Sequence, residues 1–227
     1  MSNTSNSSRS HLRVNNIGSR SDIDANWDKP LWRDIPPERL SHHMGEMPAH
    51  YPPTDVKVAY DDAAIYVIFR VEDRYVRAVT GDHQGGVCKD SCVEFFFAPG
   101  TDISTGYFNL EMNCGGTMLF HYQEKPRDGI EIRESDYRQI GISSTMPKIV
   151  NPEIEHPVIW AVEYRVPMSI LENYCRPSKP APGVKWRGNF YKCGDDTSHP
   201  HWLAWSPVDN KTPNFHLPEY FGDIEFA

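Results

Sequence analysis

Two segments of alternating polarity carry the acidic and amide side chains best suited to chemistry. Glu94 interrupts an otherwise apolar strand-like run over residues 90–97, and Asn109 and Glu111 alternate with apolar residues over 107–113. Because successive side chains of a strand point to opposite faces, all three converge on one solvent-facing patch if these strands pair over a common core. Such a patch offers the hydrogen-bond donors and acceptors that vicinal sugar hydroxyls require. A solvated sheet face, or a buried structural role for Glu94, is the alternative explanation.

Two tryptophans offer the apolar counterpart to this polar patch. Trp202 and Trp205 lie three residues apart in a strand-like segment, and strand geometry therefore sends them to opposite faces. One of them is expected in the core. The other can present its indole as a flat platform for the C–H face of a pyranose ring.

The two glutamates also admit an enzymatic interpretation. Paired carboxylates act on glycosides when they stand about 5–9.5 Å apart on either side of the scissile bond. Glu94 and Glu111 would instead stand on an open sheet, pointing the same way. We therefore expect a protein that binds sugars and is not an enzyme, with a glycoside hydrolase as the alternative.

Several cysteines and histidines raise the question of a metal or cofactor. Cys193, His199 and His201 are metal-ligand types within nine residues, but their spacing is not a standard zinc arrangement and favours an ordinary loop. A third hypothesis is a protein that binds a cofactor such as haem. His121, His201 and His216 are then the candidate axial ligands.

Composition excludes several classes of protein. The 227 residues include 23 basic and 31 acidic side chains, which give a formal net charge of −8 at pH 7. An acidic balance without a basic cluster argues against nucleic acid or a membrane surface as partner. No apolar run approaches the roughly 18 residues that span a bilayer. Five scattered cysteines are too few for a disulfide scaffold, so the chain must fold on its hydrophobic core.

Short strand-like segments separated by turns dominate the chain after its first 20 residues. The candidates are 55–60, 65–71, 91–98, 107–113, 117–123, 129–134, 138–145, 158–166, 185–192, 202–205 and 222–226. Residues 167–174 are the one predicted short helix, with Pro167 at its first position. Residues 1–20, rich in Ser, Asn and Arg, predict a flexible leader without a secretion signal. We predict a single all-β domain over 21–227, an antiparallel β-sandwich of immunoglobulin or jelly-roll type.

The order of these segments resembles that of the family 9 carbohydrate-binding modules. The matching elements are 22–27, 58–62, 65–73, 90–96, 107–113, 160–167, Trp205 and 221–224. The most specific is D-S-x-V-E-x-F at 90–96. The resemblance spans almost the whole predicted domain.

The resemblance implies a non-catalytic β-sandwich that binds a mono-, oligo- or polysaccharide and works beside polysaccharide-degrading hydrolases. It assigns Glu94, Asn109 and Glu111 to hydrogen bonds with the sugar and Trp205 to stacking, while Val87 stands where the family has a second stacking Trp. No cofactor is expected to be required, although the family carries structural calcium. Polysaccharide binding suggests a periplasmic or extracellular protein, whereas the unpaired thiols and missing signal suggest a reducing interior.

Overall fold

Strands make up most of the regular structure in the computed structural model, which describes residues 9–227. Sixteen strands occur within those residues. In chain order they are β1 (His11–Asn16), β2 (Glu38–Arg39), β3 (His42–His43), β4 (Thr54–Tyr60), β5 (Ala64–Asp73), β6 (Val76–Ala78), β7 (Cys92–Ala98), β8 (Tyr107–Asn113), β9 (Met118–Lys125), β10 (Asp128–Glu131), β11 (Gly141–Ser144), β12 (Val150–Ile154), β13 (Val158–Pro167), β14 (Lys185–Cys193), β15 (Trp202–Ala204) and β16 (Gly222–Phe226). Each predicted strand segment overlaps one of them.

Helices are short in this part of the chain. They are α1 (Pro30–Arg33), α2 (Glu134–Tyr137) and α3 (Met168–Glu172), with single 3-10 turns at Val87–Lys89, Ile103–Thr105 and Pro218–Tyr220. The predicted helix forms as α3, with Pro167 as its N-cap rather than its first residue. The other two α-helices are single turns without a clear sequence period. Among residues 9–227 no helix combines the length and the apolar character needed to cross a membrane.

Two sheets face each other across the main hydrophobic core. The front sheet has the order β10-β9-β8-β7-β14-β16-β1, and the back sheet has the order β1-β4-β5-β13-β11. Alternate side chains from both sheets fill the space between them, including Phe95 and Leu110 from the front and Val67 and Val162 from the back. This arrangement confirms the predicted β-sandwich, in which hydrophobic burial of one face of each sheet is the main stabilising contribution.

Strand β1 joins the two sheets and corrects the prediction of a flexible leader over 1–20. It pairs in parallel with β16 through His11–Val14 and with β4 through Asn15 and Asn16. Leu12 and Val14 point into the core. Alternating apolar residues within a polar stretch were too few to signal a strand by themselves. The remainder of the predicted leader, residues 1–8, lies outside the described residues.

A second, smaller hydrophobic layer covers the outer face of the front sheet. Met44, Val208, Phe215 and Phe221 come from distant segments and pack on the outward side chains of β7 and β14. Phe215 stacks on Tyr191 with 4.1 Å between ring centroids. The outer face of the front sheet is therefore largely covered, and this layer leaves one pocket above its central strands.

Candidate functional site

A pocket of about 180 Å³ lies on the outer face of the front sheet. Its floor is formed by β7, β8 and β14, and its walls by β15 and the turns and loops around it. The lining residues are Cys88, Glu94, Phe96, Glu111, Arg127, Cys193, Asp195, Trp202, Pro213, Asn214, Phe215 and His216. Acidic, aromatic and amide groups thus converge on one cavity, as ligand sites require.

Glu94 and Glu111 form the acidic floor of this pocket. They are direct cross-strand partners of β7 and β8, so their side chains project side by side from the same face. Glu94 is 1% exposed and Glu111 7% exposed. The structure therefore brings the two predicted acids together but buries them, contrary to the predicted solvent-facing patch. The physical reason is the second hydrophobic layer, whose segments lie far away in sequence.

Burial and mutual repulsion set the protonation of these two acids. Burial raises the pKa of Glu94 well above its usual range, and the nearby Glu111 carboxyl raises it further. Burial likewise raises the pKa of Glu111 to about 7. Two adjacent carboxyl groups in a poorly hydrated site disfavour double ionisation. The floor thus carries at least one proton near neutral pH and can both donate and accept hydrogen bonds.

Asn109 does not line the pocket but supports Glu111 through a hydrogen bond. Its Nδ2 donates a hydrogen bond to Glu111 Oε1 at 3.0 Å, and its Oδ1 accepts one from Gln123 Nε2 at 2.8 Å. Asn109 is buried. The sequence placed it correctly on the face of Glu111, and the structure gives it the role of orienting that carboxyl group.

Glu94 keeps one carboxyl oxygen without a hydrogen-bond partner. Its Oε1 accepts a hydrogen bond from Cys193 Sγ at 3.2 Å, whereas Oε2 is buried and unpartnered. A buried polar atom without a hydrogen-bond partner costs free energy, on the order of 1–3 kcal/mol. Because Glu94 lines the pocket, a ligand that reaches the floor can supply the missing interaction.

The two tryptophans exchange their expected positions. Trp205 is 3% exposed, packs edge-on against Phe190 in the main core and donates a hydrogen bond from Nε1 to Glu38 Oε2 at 2.8 Å. The structure therefore places Trp205 in the main core and not among the residues that line the pocket. Trp202 points outward, lines the pocket and is half-buried. Its Nε1 donates to Asp195 Oδ1 at 2.7 Å, which holds the indole in place.

The remaining wall comes from residues that the sequence did not assign to a sugar site, although His216 was a candidate cofactor ligand. Arg127, in the turn between β9 and β10, donates a hydrogen bond from its guanidinium to Asn214 Oδ1 at 3.0 Å. His216 Nδ1 lies 2.7 Å from the Tyr107 hydroxyl, and burial lowers the pKa of His216 to about 4. Their only sequence signal was a turn-like setting for Arg127 and an aromatic-rich tail around Phe215, neither of which indicates a ligand.

Val87 occupies the position of the family's second stacking Trp. It lies in the second hydrophobic layer, and its neighbour Cys88 lines the pocket. The aromatic rings around the pocket are instead Trp202, Phe96, Phe215 and His216. The second platform implied by the resemblance is therefore absent from that position.

The structure separates Cys193 from His201. Cys193 faces the pocket, whereas the buried His201 accepts a hydrogen bond at Nε2 from Lys192 Nζ, 2.7 Å away, and bonds to the His199 carbonyl through Nδ1. Burial lowers the pKa of His201 to about 3, and Lys192 lowers it further. His201 therefore belongs to a buried polar network and does not share a metal site with Cys193.

Within residues 9–227, one cluster of His, Cys, Asp or Glu side chains brings at least three ligand atoms to within 4.8 Å of one another. It consists of Cys92, Glu94 and Cys193. Ca²⁺ prefers six to eight oxygen ligands. Two thiols and one carboxyl group do not fit that preference, so this group is not the calcium site that the resemblance implies.

The sequence model of carbohydrate-binding family 9 matches residues 41–226. The fold is shared with a candidate carbohydrate-binding protein from Bacteroides uniformis, at 27% identity and a TM-score of 0.86 over 97% of this chain and 100% of that one. No protein of curated function matches the sequence.

Two structures of a family 9 carbohydrate-binding module from Caldicellulosiruptor kristjanssonii share the fold at lower identity. One contains cellotriose and the other glucose, and both have 16% identity and a TM-score of 0.67 over 96% of this chain. The alignments cover 94% and 96% of those chains. At this identity the likeness concerns the fold.

Proposed function

The chain belongs to carbohydrate-binding family 9, and we propose that its front-sheet pocket binds one sugar ring without catalysing a reaction on it. Trp202 provides the stacking surface, while Glu94 and Glu111 form hydrogen bonds with the ring hydroxyls. The main support is their convergence on a single pocket, with the indole already held by Asp195 and one Glu94 oxygen unpartnered.

The chemistry of the pocket suits a neutral polyol with an apolar face. An indole contributes an apolar surface, and carboxyl groups offer several acceptors on a rigid sheet. Arg127 and Asn214 also line the pocket and add hydrogen-bond donors. Because strands hold the floor, little ordering of side chains is needed on binding.

The size of the pocket favours one ring over a chain. Its volume of about 180 Å³ is below the roughly 300–1,000 Å³ typical of pockets for drug-sized ligands. A single monosaccharide, or the terminal ring of a longer glycan, fits that volume better than an internal segment of a polysaccharide. The glucose bound by the Caldicellulosiruptor module supports the same ligand class. A role beside polysaccharide-degrading enzymes is part of the proposal.

A hydrolytic role for the two glutamates has less support. Glycosidase carboxyl groups act from either side of the scissile bond. Glu94 and Glu111 extend from adjacent positions on one face of the sheet, so they approach a ligand from the same side. This geometry suits hydrogen bonding to neighbouring hydroxyls.

Isothermal titration calorimetry against glucose, xylose, galactose and their short oligosaccharides tests the proposal. We expect at least one monosaccharide to bind, and Glu94→Gln to weaken its binding by up to about 10-fold, because a hydrogen bond between neutral groups contributes about 0.5–1.5 kcal/mol. The control is Glu131→Gln, which removes an exposed acid on β10. The proposal would be contradicted if no sugar gave a heat of binding. It would also be contradicted if Glu131→Gln weakened sugar binding as much as Glu94→Gln does.

A further inference from the structure

Three chemically reactive side chains meet at one end of the pocket floor. Cys92 on β7 and Cys193 on β14 are cross-strand partners, and Glu94 lies two residues further along β7 on the same face. A carboxyl oxygen of Glu94 lies 3.2 Å from Cys193 Sγ and 4.0 Å from Cys92 Sγ. Such separations are close to those between ligand atoms around a tetrahedral ion with bonds of about 2.0–2.3 Å.

We propose that Cys92, Cys193 and Glu94 bind a thiophilic divalent metal ion such as Zn²⁺, with its fourth ligand supplied from the pocket. Two thiolates and one carboxylate are a donor set that Zn²⁺ accepts readily. This site goes beyond the proposed sugar binding and does not depend on it.

The unpartnered oxygen of Glu94 is independent support for a cation. Oε2 has no hydrogen-bond partner, although Glu94 is almost fully inaccessible to solvent. A cation bound by the Glu94 carboxyl group would offset the cost of burying it. Glu111 is the cross-strand partner of Glu94 and is itself held by a hydrogen bond from Asn109, so the floor beside the proposed ligands is ordered.

The pocket also gives the ion a route of entry. Glu94 and Cys193 line the cavity, together with the thiol-bearing Cys88. On binding, the two S–H bonds break, two metal–sulfur bonds form, and the protons, with any proton on Glu94, pass to solvent through the pocket. Because the ligands must lose their protons to bind the ion, metal affinity should increase with pH.

Cobalt and zinc titrations of the full chain, treated with a chelator and kept reduced by a phosphine, test the site. We expect one Co²⁺ per chain, with thiolate-to-cobalt absorption in the near ultraviolet that Zn²⁺ abolishes. Cys92→Ser and Cys193→Ser should each lose that absorption and weaken zinc binding about 100-fold or more. Cys175→Ser, which alters a half-buried thiol outside the cluster, is the matched control and should bind as the wild type does.

Glu94→Gln provides a second test if a serine variant is shown by circular dichroism to be unfolded. It preserves both thiols and the side-chain shape, so the cobalt–thiolate absorption should persist while zinc affinity falls about 10-fold or more. The proposal is overturned by a wild type without cobalt–thiolate absorption, by serine variants that keep it, or by unchanged zinc affinity in Glu94→Gln. Sugar titration of the metal-free protein separates the two hypotheses, because heat with a sugar but no cobalt spectrum refutes the metal site alone.

Discussion

Glu94 on β7 and Glu111 on β8 are direct cross-strand partners, and their carboxyl groups are buried side by side at the floor of one pocket. A hydrophobic layer contributed by distant segments keeps water from most of this face. Desolvation and like-charge repulsion both favour protonation of the pair. The same two residues therefore connect the stability of the fold with its proposed binding chemistry.

Glu111 should lower the free energy of unfolding as pH rises from about 5 to about 8. The pKa of Glu111 is raised from 4.5 to about 7, so across this interval its carboxyl group binds more protons in the folded state than in the unfolded state, and its contribution to stability falls with pH. Burial lowers the pKa of His201 and of His216, and these two groups contribute in the opposite direction, so the effect of Glu111 is isolated by comparing the wild type with Glu111→Gln. One group shifted by that amount contributes on the order of 3 kcal/mol. In urea denaturation at both pH values, the free energy of unfolding of Glu111→Gln should rise relative to that of the wild type as pH increases. The control, Glu131→Gln, should retain the wild-type pH dependence, and the same pH dependence in Glu111→Gln would contradict the assignment.

Trp202→Ala and Trp205→Ala should have different effects. Trp202 lines the pocket, so its removal should weaken sugar binding about 10-fold or more while changing stability little. Trp205 is buried against Phe190, and its removal should reduce the free energy of unfolding by about 3–5 kcal/mol. Calorimetry and thermal denaturation measure the two effects. If Trp205→Ala weakened sugar binding and Trp202→Ala did not, Trp205 would belong to the binding site.

Lys192→Met should destabilise the fold. Lys192 Nζ lies 3.6 Å from Asp73 Oδ2, and both side chains are buried. Burial alone would raise the pKa of Asp73, but Lys192, followed by the His50 hydrogen bond, holds it below its usual range. Removal of one partner of a buried ion pair costs about 3–5 kcal/mol. In urea denaturation, Lys185→Met on the exposed end of the same strand should have little effect, and the double variant Asp73→Asn/Lys192→Met should recover part of the loss.

The contribution of β1 can be tested with two neighbouring substitutions. Val14 is buried between the sheets, whereas Arg13 is exposed on the same strand. Val14→Asp places an uncompensated charge in the core and should cost about 3–5 kcal/mol or prevent folding. Arg13→Asp should change stability by about 0.5 kcal/mol or less. Equal effects in thermal denaturation would show that β1 is not part of the stable sandwich.

Local patterning was sufficient to predict eleven of the sixteen strands in residues 9–227 and the relative orientation of side chains along them. The alternation of polar and apolar residues correctly placed Asn109 and Glu111 on one face of β8, and Trp202 and Trp205 on opposite faces of their segment. These relationships depend on the two-residue period of a strand, which the sequence alone specifies. The order of the segments was sufficient to identify the family.

Only the tertiary structure decided which faces meet solvent and which side chains become neighbours. Burial of Glu94 depends on Phe215, more than a hundred residues later, and Cys92 meets Cys193 because β7 pairs with β14. Trp202 rather than Trp205 lines the pocket because the main core lies on the other side of the sheet. The two-residue period of a strand determines which side chains share a face. Contacts between segments distant in sequence determine whether that face is covered, and by which residues.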